Sequence, residues 1–143
     1  MQIEEILEEV KDGKMSVQDA ALKLKKKPFE DIGYANIDYH REIRQGNAEV
    51  IYGAGKTPEQ MIGIIGSMMK AGQENILITR LYREAAEKIS EKYALRYEAE
   101  SHIGMVGKMP EPDGKGTILI VTGGTSDIPV AEEAAWTAEA MGN

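Results

Sequence analysis

A chain of 143 residues holds one ordinary domain or two very small ones, and its formal net charge of −7 excludes the basic surface that nucleic-acid binding needs. It contains no cysteine, which removes disulfides, thiolate metal sites and a cysteine nucleophile from this chain. Met1–Val10 is acidic and amphipathic, unlike a signal peptide, and no apolar run is long enough to cross a bilayer, so a cytoplasmic protein with no membrane and no nucleic-acid partner is expected.

In chain order, Ile3, Ile6, Leu7 and Val10 share one helical face, which predicts a helix over residues 2–12 ended by Asp12-Gly13. Ser16 then caps a second helix, residues 16–27, with Asp19 completing a near capping box. Val17, Ala20, Ala21 and Leu24 form its stripe, and Lys25-Lys26-Lys27-Pro28 closes it, with cations at the negative helix end. Residues 29–47 carry few periodic signals, although Asp38, Arg41 and Arg44 recur at helical spacing. A strand at 49–52, a helix from Thr57 or Pro58 to about Ala71, a strand at 75–79 and a helix at 81–93 follow. Short strands at 94–99 and 103–106 suggest a hairpin. Residues 109–116 read as a Pro/Gly linker, 117–121 as a buried strand, and the last helix runs from near Asp127 to Met141. The strand–helix alternation predicts an α/β fold: a helical hairpin, then a small parallel or mixed sheet with a βαβα core. The predicted domains are 1–112 and, after the linker, a single strand–loop–helix unit at 113–143.

Two glycine turns carry the candidate chemistry. The first, Val50-Ile-Tyr-Gly-Ala-Gly-Lys-Thr57, is not a P-loop, because the position five before Gly55 is Val50 and the opening glycine is missing. What remains is Gly53, Gly55, Lys56 and Thr57 between a strand end and a helix start. There, backbone amides and a lysine can hold an anion, or the glycines simply permit a tight turn. Arg41 and Arg44 either bind a phosphate or carboxylate or belong to a salt-bridged surface helix with Asp38. The second turn, Val121-Thr-Gly-Gly-Thr-Ser-Asp127, places Gly123, Gly124, Thr125 and Ser126 where a phosphate fits, with Ser126 or Asp127 capping the next helix and Pro129 in its first turn. The helix face Ala131, Ala134, Ala135 and Ala138 suits close packing on a sheet. His40 and His102 stand far apart without histidine partners, so no metal site is expected from this chain.

The run TGGTSDIPVAEEAAWTAEAMGN resembles the opening of the PurE-like domain of LarB proteins, and residues 37–60, from Ile37 through Gly53-Ala-Gly55-Lys56-Thr57 to Gln60, resemble the amino-terminal region of the same family. That resemblance implies a flavodoxin- or Rossmann-like second domain, of which this chain holds the first strand–loop–helix. It implies a synthase of the nickel-pincer nucleotide pathway that carboxylates the pyridinium ring of nicotinic acid adenine dinucleotide and hydrolyses its phosphoanhydride, releasing AMP. It further implies CO2 or bicarbonate as co-substrate, no covalently bound cofactor, Mg2+ as a candidate ion of the complete enzyme, and a homo-oligomer. In PurE proteins a Gly-Ser-x-Ser-Asp loop holds the nucleotide phosphate and frames the ring. Ser126 and Asp127 match it as catalytic residues, Thr125 takes the variable position, and Gly124 replaces the first serine, so that hydroxyl is not carried over. The family cysteine that adds to the ring has no counterpart here, so a truncated, inactive chain is expected. A non-catalytic nucleotide-binding or regulatory domain, an acidic interaction module and an aminoimidazole ribonucleotide carboxylase of the PurE type are the alternative readings.

Overall fold

The computed structural model describes residues 3–24, 29–38 and 49–143. The predicted close of the second helix at Lys25–Pro28, and Arg41, Arg44 and His40, lie outside the described residues. Helices α1 (Ile3–Lys11) and α2 (Val17–Leu24) pack on one another, with Ile6 and Ala20 buried. The predicted capping of α2 is present: the Asp19 amide donates to Ser16 Oγ at 3.0 Å, and the Ser16 hydroxyl donates to the Asp19 carboxylate at 2.6 Å.

A hairpin that the sequence pattern did not predict follows. Strands β1 (Phe29–Asp31) and β2 (Asn36–Asp38) pair antiparallel, and Asp31 bends the turn by accepting a hydrogen bond from the Gly33 amide at 2.8 Å. Asp38 therefore ends a strand rather than opening a helical face. Three-residue strands are too short to show a period of two, which is why residues 29–38 looked featureless. The buried Ile37 side chain joins the main core, and the Tyr34 hydroxyl sits against Gly63 of the helix below.

The main sheet is built from β3 (Ile51–Tyr52), β4 (Ile76–Thr79), β5 (Leu95–Glu98) and β6 (Ile103–Val106), in the spatial order β3-β4-β6-β5. Helix α3 (Pro58–Lys70) connects β3 to β4, and α4 (Arg83–Ser90) connects β4 towards β5. β3 and β4 are parallel, whereas β6 is antiparallel to both β4 and β5. The sheet is mixed because a four-residue turn at 99–102 joins β5 to β6, and so tight a link permits only an antiparallel pair. That pair inserts β6 between β4 and β5, which splits the second βαβ unit and leaves β3, β4 and β5 running the same way.

Both faces of β4 are buried. On one face, Ile51, Ile76, Ile78 and Val106 pack under Met61, Ile64, Ile65 and Met68 of α3 and Ala85, Ala86 and Ile89 of α4. On the other, Leu77, Ile103 and Met105 pack against Trp136 of α5 (Ile128–Ala140), with Val50, Met109 and Ala140 around them. The Arg96 guanidinium stacks 4.6 Å from the Trp136 ring centre and covers its outer side.

Two expectations fail in this terminal part. Residues 117–121 form no strand, and Ile118, Leu119 and Val121 are exposed, Leu119 at 82%. An apolar run becomes a strand only by pairing with a sheet edge, and this segment pairs with none of the described strands, although β3 and β5 form the outer edges of the main sheet. The alanine face of α5 is not its contact face either: Trp136 is the buried residue and Ala134 is exposed. One large aromatic removes more apolar surface than several alanines, so its position sets the rotation of the helix. The linker turns back on α5, and the amides of Asp113 and Gly114 both donate to the Gly142 carbonyl, at 2.8 and 2.9 Å.

Trp136→Ala is expected to lower the unfolding free energy by about 3 kcal/mol in urea titration, since it empties the centre of the second core. Cutting the chain after Lys108 removes α5 altogether. A cooperative thermal transition at lower temperature is expected from residues 1–108, whereas a non-cooperative one makes α5 integral to the first domain.

Candidate functional site

In open α/β sheets the chain segments leaving the carboxyl ends of parallel strands form the usual ligand crevice. Here β3, β4 and β5 all emerge at one edge. It carries the Gly53–Thr57 turn, the Arg80–Tyr82 link, the starts of α3 and α4, and the 99–102 turn.

Gly53 is required there by close approach. Its amide donates to the Thr79 carbonyl at 2.7 Å, and a Cβ on it would stand 2.9 Å from the carbonyl oxygens of both Thr79 and Arg80. Gly55 is required by conformation, with φ +76° and open space around it. The Lys56 amide closes the turn on the Gly53 carbonyl at 3.1 Å. Thr57 then caps α3 in a complete capping box: the Gln60 amide donates to Thr57 Oγ1 at 3.2 Å, and the Thr57 amide donates to Gln60 Oε1 at 2.9 Å. Glu59 in the first turn accepts from the Lys88 ammonium at 3.1 Å. Its carboxyl is held below the ordinary 4.5 by its own backbone amide first and by Lys88 next. The start of α3 is thus already supplied with acceptors by its own side chains.

Arg80 and His102 are the non-glycine residues with positive φ among the described residues, at +54° and +52°. They face each other at the end of the β4–β6 ladder, two positions beyond the Ile78–Gly104 pair, and the Leu81 amide donates to the His102 carbonyl at 2.7 Å. Nothing in the sequence marks either position, because the geometry comes from the way two strands end together. The Arg80 guanidinium donates to the Glu133 carboxylate of α5 at 3.0 Å.

That ion pair fixes where the second glycine turn lies. Glu133 stands five positions after Ile128, about 7.5 Å along the helix. Ala140, at the other end, packs on the same core as Val50 and Met109, which precede β3 and follow β6 at the opposite edge of the sheet. The Gly123–Asp127 loop therefore projects at the same edge as the Gly53–Lys56 turn. Its residues are exposed, and Thr125–Asp127 forms a short 3-10 turn. Thr122 Oγ1 shapes the loop, donating to the Gly124 carbonyl at 3.0 Å and accepting from the Gly124 amide at 3.4 Å. Pro129 lies in the first turn of α5, as its type predicts. The expected side-chain cap is absent. Asp127 is the capping residue but has helical angles, φ −88° and ψ −13°, and a cap needs an extended residue to swing its oxygen back to the following amides. Among the described residues no group of three histidine, aspartate or glutamate side chains is arranged to hold a metal ion.

Gly53→Ala is expected to destabilise the protein by about 1–3 kcal/mol, because both carbonyls it would meet are fixed backbone. Gly55→Ala should cost about 1 kcal/mol through its backbone angle alone. The depressed Glu59 carboxyl contributes stability that is present above its unfolded value and is lost as pH falls through the folded one. Glu59→Gln should accordingly flatten the acid limb of a thermal-melting profile below pH 4.5.

A family model described as the LarB/PurE-like N-terminal domain matches residues 29–108. An uncharacterized protein of Methanocaldococcus jannaschii is 31% identical over 150 aligned positions, which cover 98% of this chain and 57% of that relative. The chain thus spans little more than half the length of the relative it matches. No helix among the described residues is long and apolar enough to cross a membrane. The α/β sheet at the centre of the match and the family model over more than half of the chain lead to one conclusion: this chain belongs to the carboxylase-related LarB/PurE-like N-terminal domain family.

Proposed function

We propose that this chain is the amino-terminal part of a synthase that carboxylates the pyridinium ring of nicotinic acid adenine dinucleotide and hydrolyses its phosphoanhydride, releasing AMP. Family membership supports the reaction class, and one structural observation supports the substrate class. Two glycine turns from separate sequence motifs stand at the same sheet edge, tied together by the Arg80–Glu133 ion pair. A dinucleotide presents two phosphates and two rings, and a split pair of backbone turns is suited to such an extended ligand.

In this reading the Gly123–Thr125 backbone approaches one phosphate closely, the first amides of α5 point at it, and the Ser126 hydroxyl adds a neutral donor. Asp127 is poorly placed beside a phosphate by charge. Its carboxylate makes no capping bond, so it is available to hold the ribose or to orient the ring. CO2 is the electrophile that the ring attacks, and this chain, with no cysteine, supplies no thiolate to activate the ring.

Two measurements test this. A chain extended to the length of its relatives, incubated with nicotinic acid adenine dinucleotide and bicarbonate, should give the biscarboxylated product and AMP by mass spectrometry; turnover of aminoimidazole ribonucleotide instead would move the protein to purine synthesis. In that extended chain Asp127→Asn should lose at least tenfold in kcat at unchanged melting temperature, and full retention of activity would remove Asp127 from the chemistry.

A further inference from the structure

The 99–102 turn has features that neither the fold nor the proposed reaction uses. Among the described residues, the buried side-chain polar atoms without a hydrogen-bond partner are the Tyr97 hydroxyl, Ser101 Oγ and His102 Nδ1. All three belong to the β5–β6 hairpin, and Ser101 is only 3% exposed. Buried polar groups are nearly always paired, since leaving one unpaired costs the whole of its lost hydration. Three on one hairpin is a concentration that sheet-building does not explain. His102 also holds a left-handed backbone, and Arg80 opposite does the same.

The residues around the turn indicate what it would accept. Tyr82, 56% exposed, lays its ring 4.6 Å from the His102 ring. It is the solvent-facing member of the pair, so its rotation is what would open His102 to solvent. Tyr82 is also the capping residue just before α4, where it provides no side-chain cap. Arg83 follows it. Burial pushes the Tyr97 phenol above its ordinary value of 10.0, and the Arg83 guanidinium, the next largest influence, works against that rise. The Glu98 carboxylate adds to the rise, so Tyr97 stays a protonated donor with one cation and one carboxylate near it. The serine and tyrosine hydroxyls and the imidazole Nδ1 are groups that can donate hydrogen bonds, and with Arg83 near Tyr97 they can match an oxyanion.

We propose that the β5–β6 turn, covered by Tyr82, is an oxyanion-binding site that takes a phosphate monoester, with Ser101, His102 and Tyr97 as donors. This goes beyond the carboxylation reading and stands on binding alone: turnover in an extended chain decides that reading, and saturable binding by the 143-residue chain decides this one.

The test is the melting temperature of this chain titrated with inorganic phosphate, AMP and adenosine at constant ionic strength. Phosphate and AMP should raise it saturably and adenosine should not. Equal dissociation constants for phosphate and AMP identify a free-phosphate site, and tighter AMP binding identifies the phosphate of a nucleotide; both support the proposal. Ser101→Ala should melt at the same or a higher temperature without ligand, because it deletes an unpaired buried hydroxyl, and should weaken phosphate binding at least tenfold. His102→Asn, which tolerates the left-handed backbone, should weaken it likewise if Ser101→Ala fails to fold. The proposal is overturned if neither anion gives a saturable rise. It is equally overturned if the folded Ser101 or His102 variant binds phosphate as the parent does.

Discussion

Strand β4 is hydrogen-bonded on both edges and covered on both faces, and the architecture follows from that. Ile76, Leu77 and Ile78 are all buried, so consecutive side chains pointing to opposite faces each need a cover. On one side the cover is α3 and α4, joined to β4 by short connections. On the other it is α5, which arrives from the far side of the 107–127 segment. A four-residue strand can be so fully enclosed only if the layers meet it from both directions.

The same enclosure positions the candidate site. Because β3, β4 and β5 run the same way, their outgoing segments collect at one edge, and helices α3 and α4 begin there. The parallel pairing of β3 with β4 demands that Gly53 approach two carbonyls closely, which explains that glycine without reference to a ligand. The capping box at Thr57 likewise serves the helix first. These features make the Gly53–Thr57 turn a well-built structural turn that also faces the crevice. By contrast, the left-handed Arg80 and His102, and the unpaired hydroxyl of Ser101, are local costs to the fold at the same edge.

Coupling across the site runs through two arginines. Arg80 ties the end of β4 to Glu133, and Arg96 of β5 covers Trp136. Exposed ion pairs contribute little by themselves, about 0–1 kcal/mol. The hydrophobic contact of Trp136 supplies the energy, and Arg80 selects the position along α5 that meets the sheet edge. The Gly123–Asp127 loop is therefore placed by contacts made five and eight residues beyond Ile128 on α5, rather than by the apolar segment that precedes it.

By itself the sequence determined the elements whose signals are local. The Ser16 cap, the helix starting at Thr57 or Pro58, Pro129 at the start of α5 and the strand at 103–106 are all legible, because a cap or a helix start is decided within a turn or two of the chain. Both glycine turns were legible as turns for the same reason. Tertiary structure alone decided the rest. The β1–β2 hairpin is too short to show a period. Residues 117–121 have strand composition but pair with no described strand. The rotation of α5 follows Trp136 and not the alanines, and the direction of β6 follows its tight link to β5. The meeting of the two glycine turns at one edge, and the strained Arg80 and His102 between them, depend on which strand ends lie side by side. That is settled by pairing between residues distant in the chain, which no local pattern records.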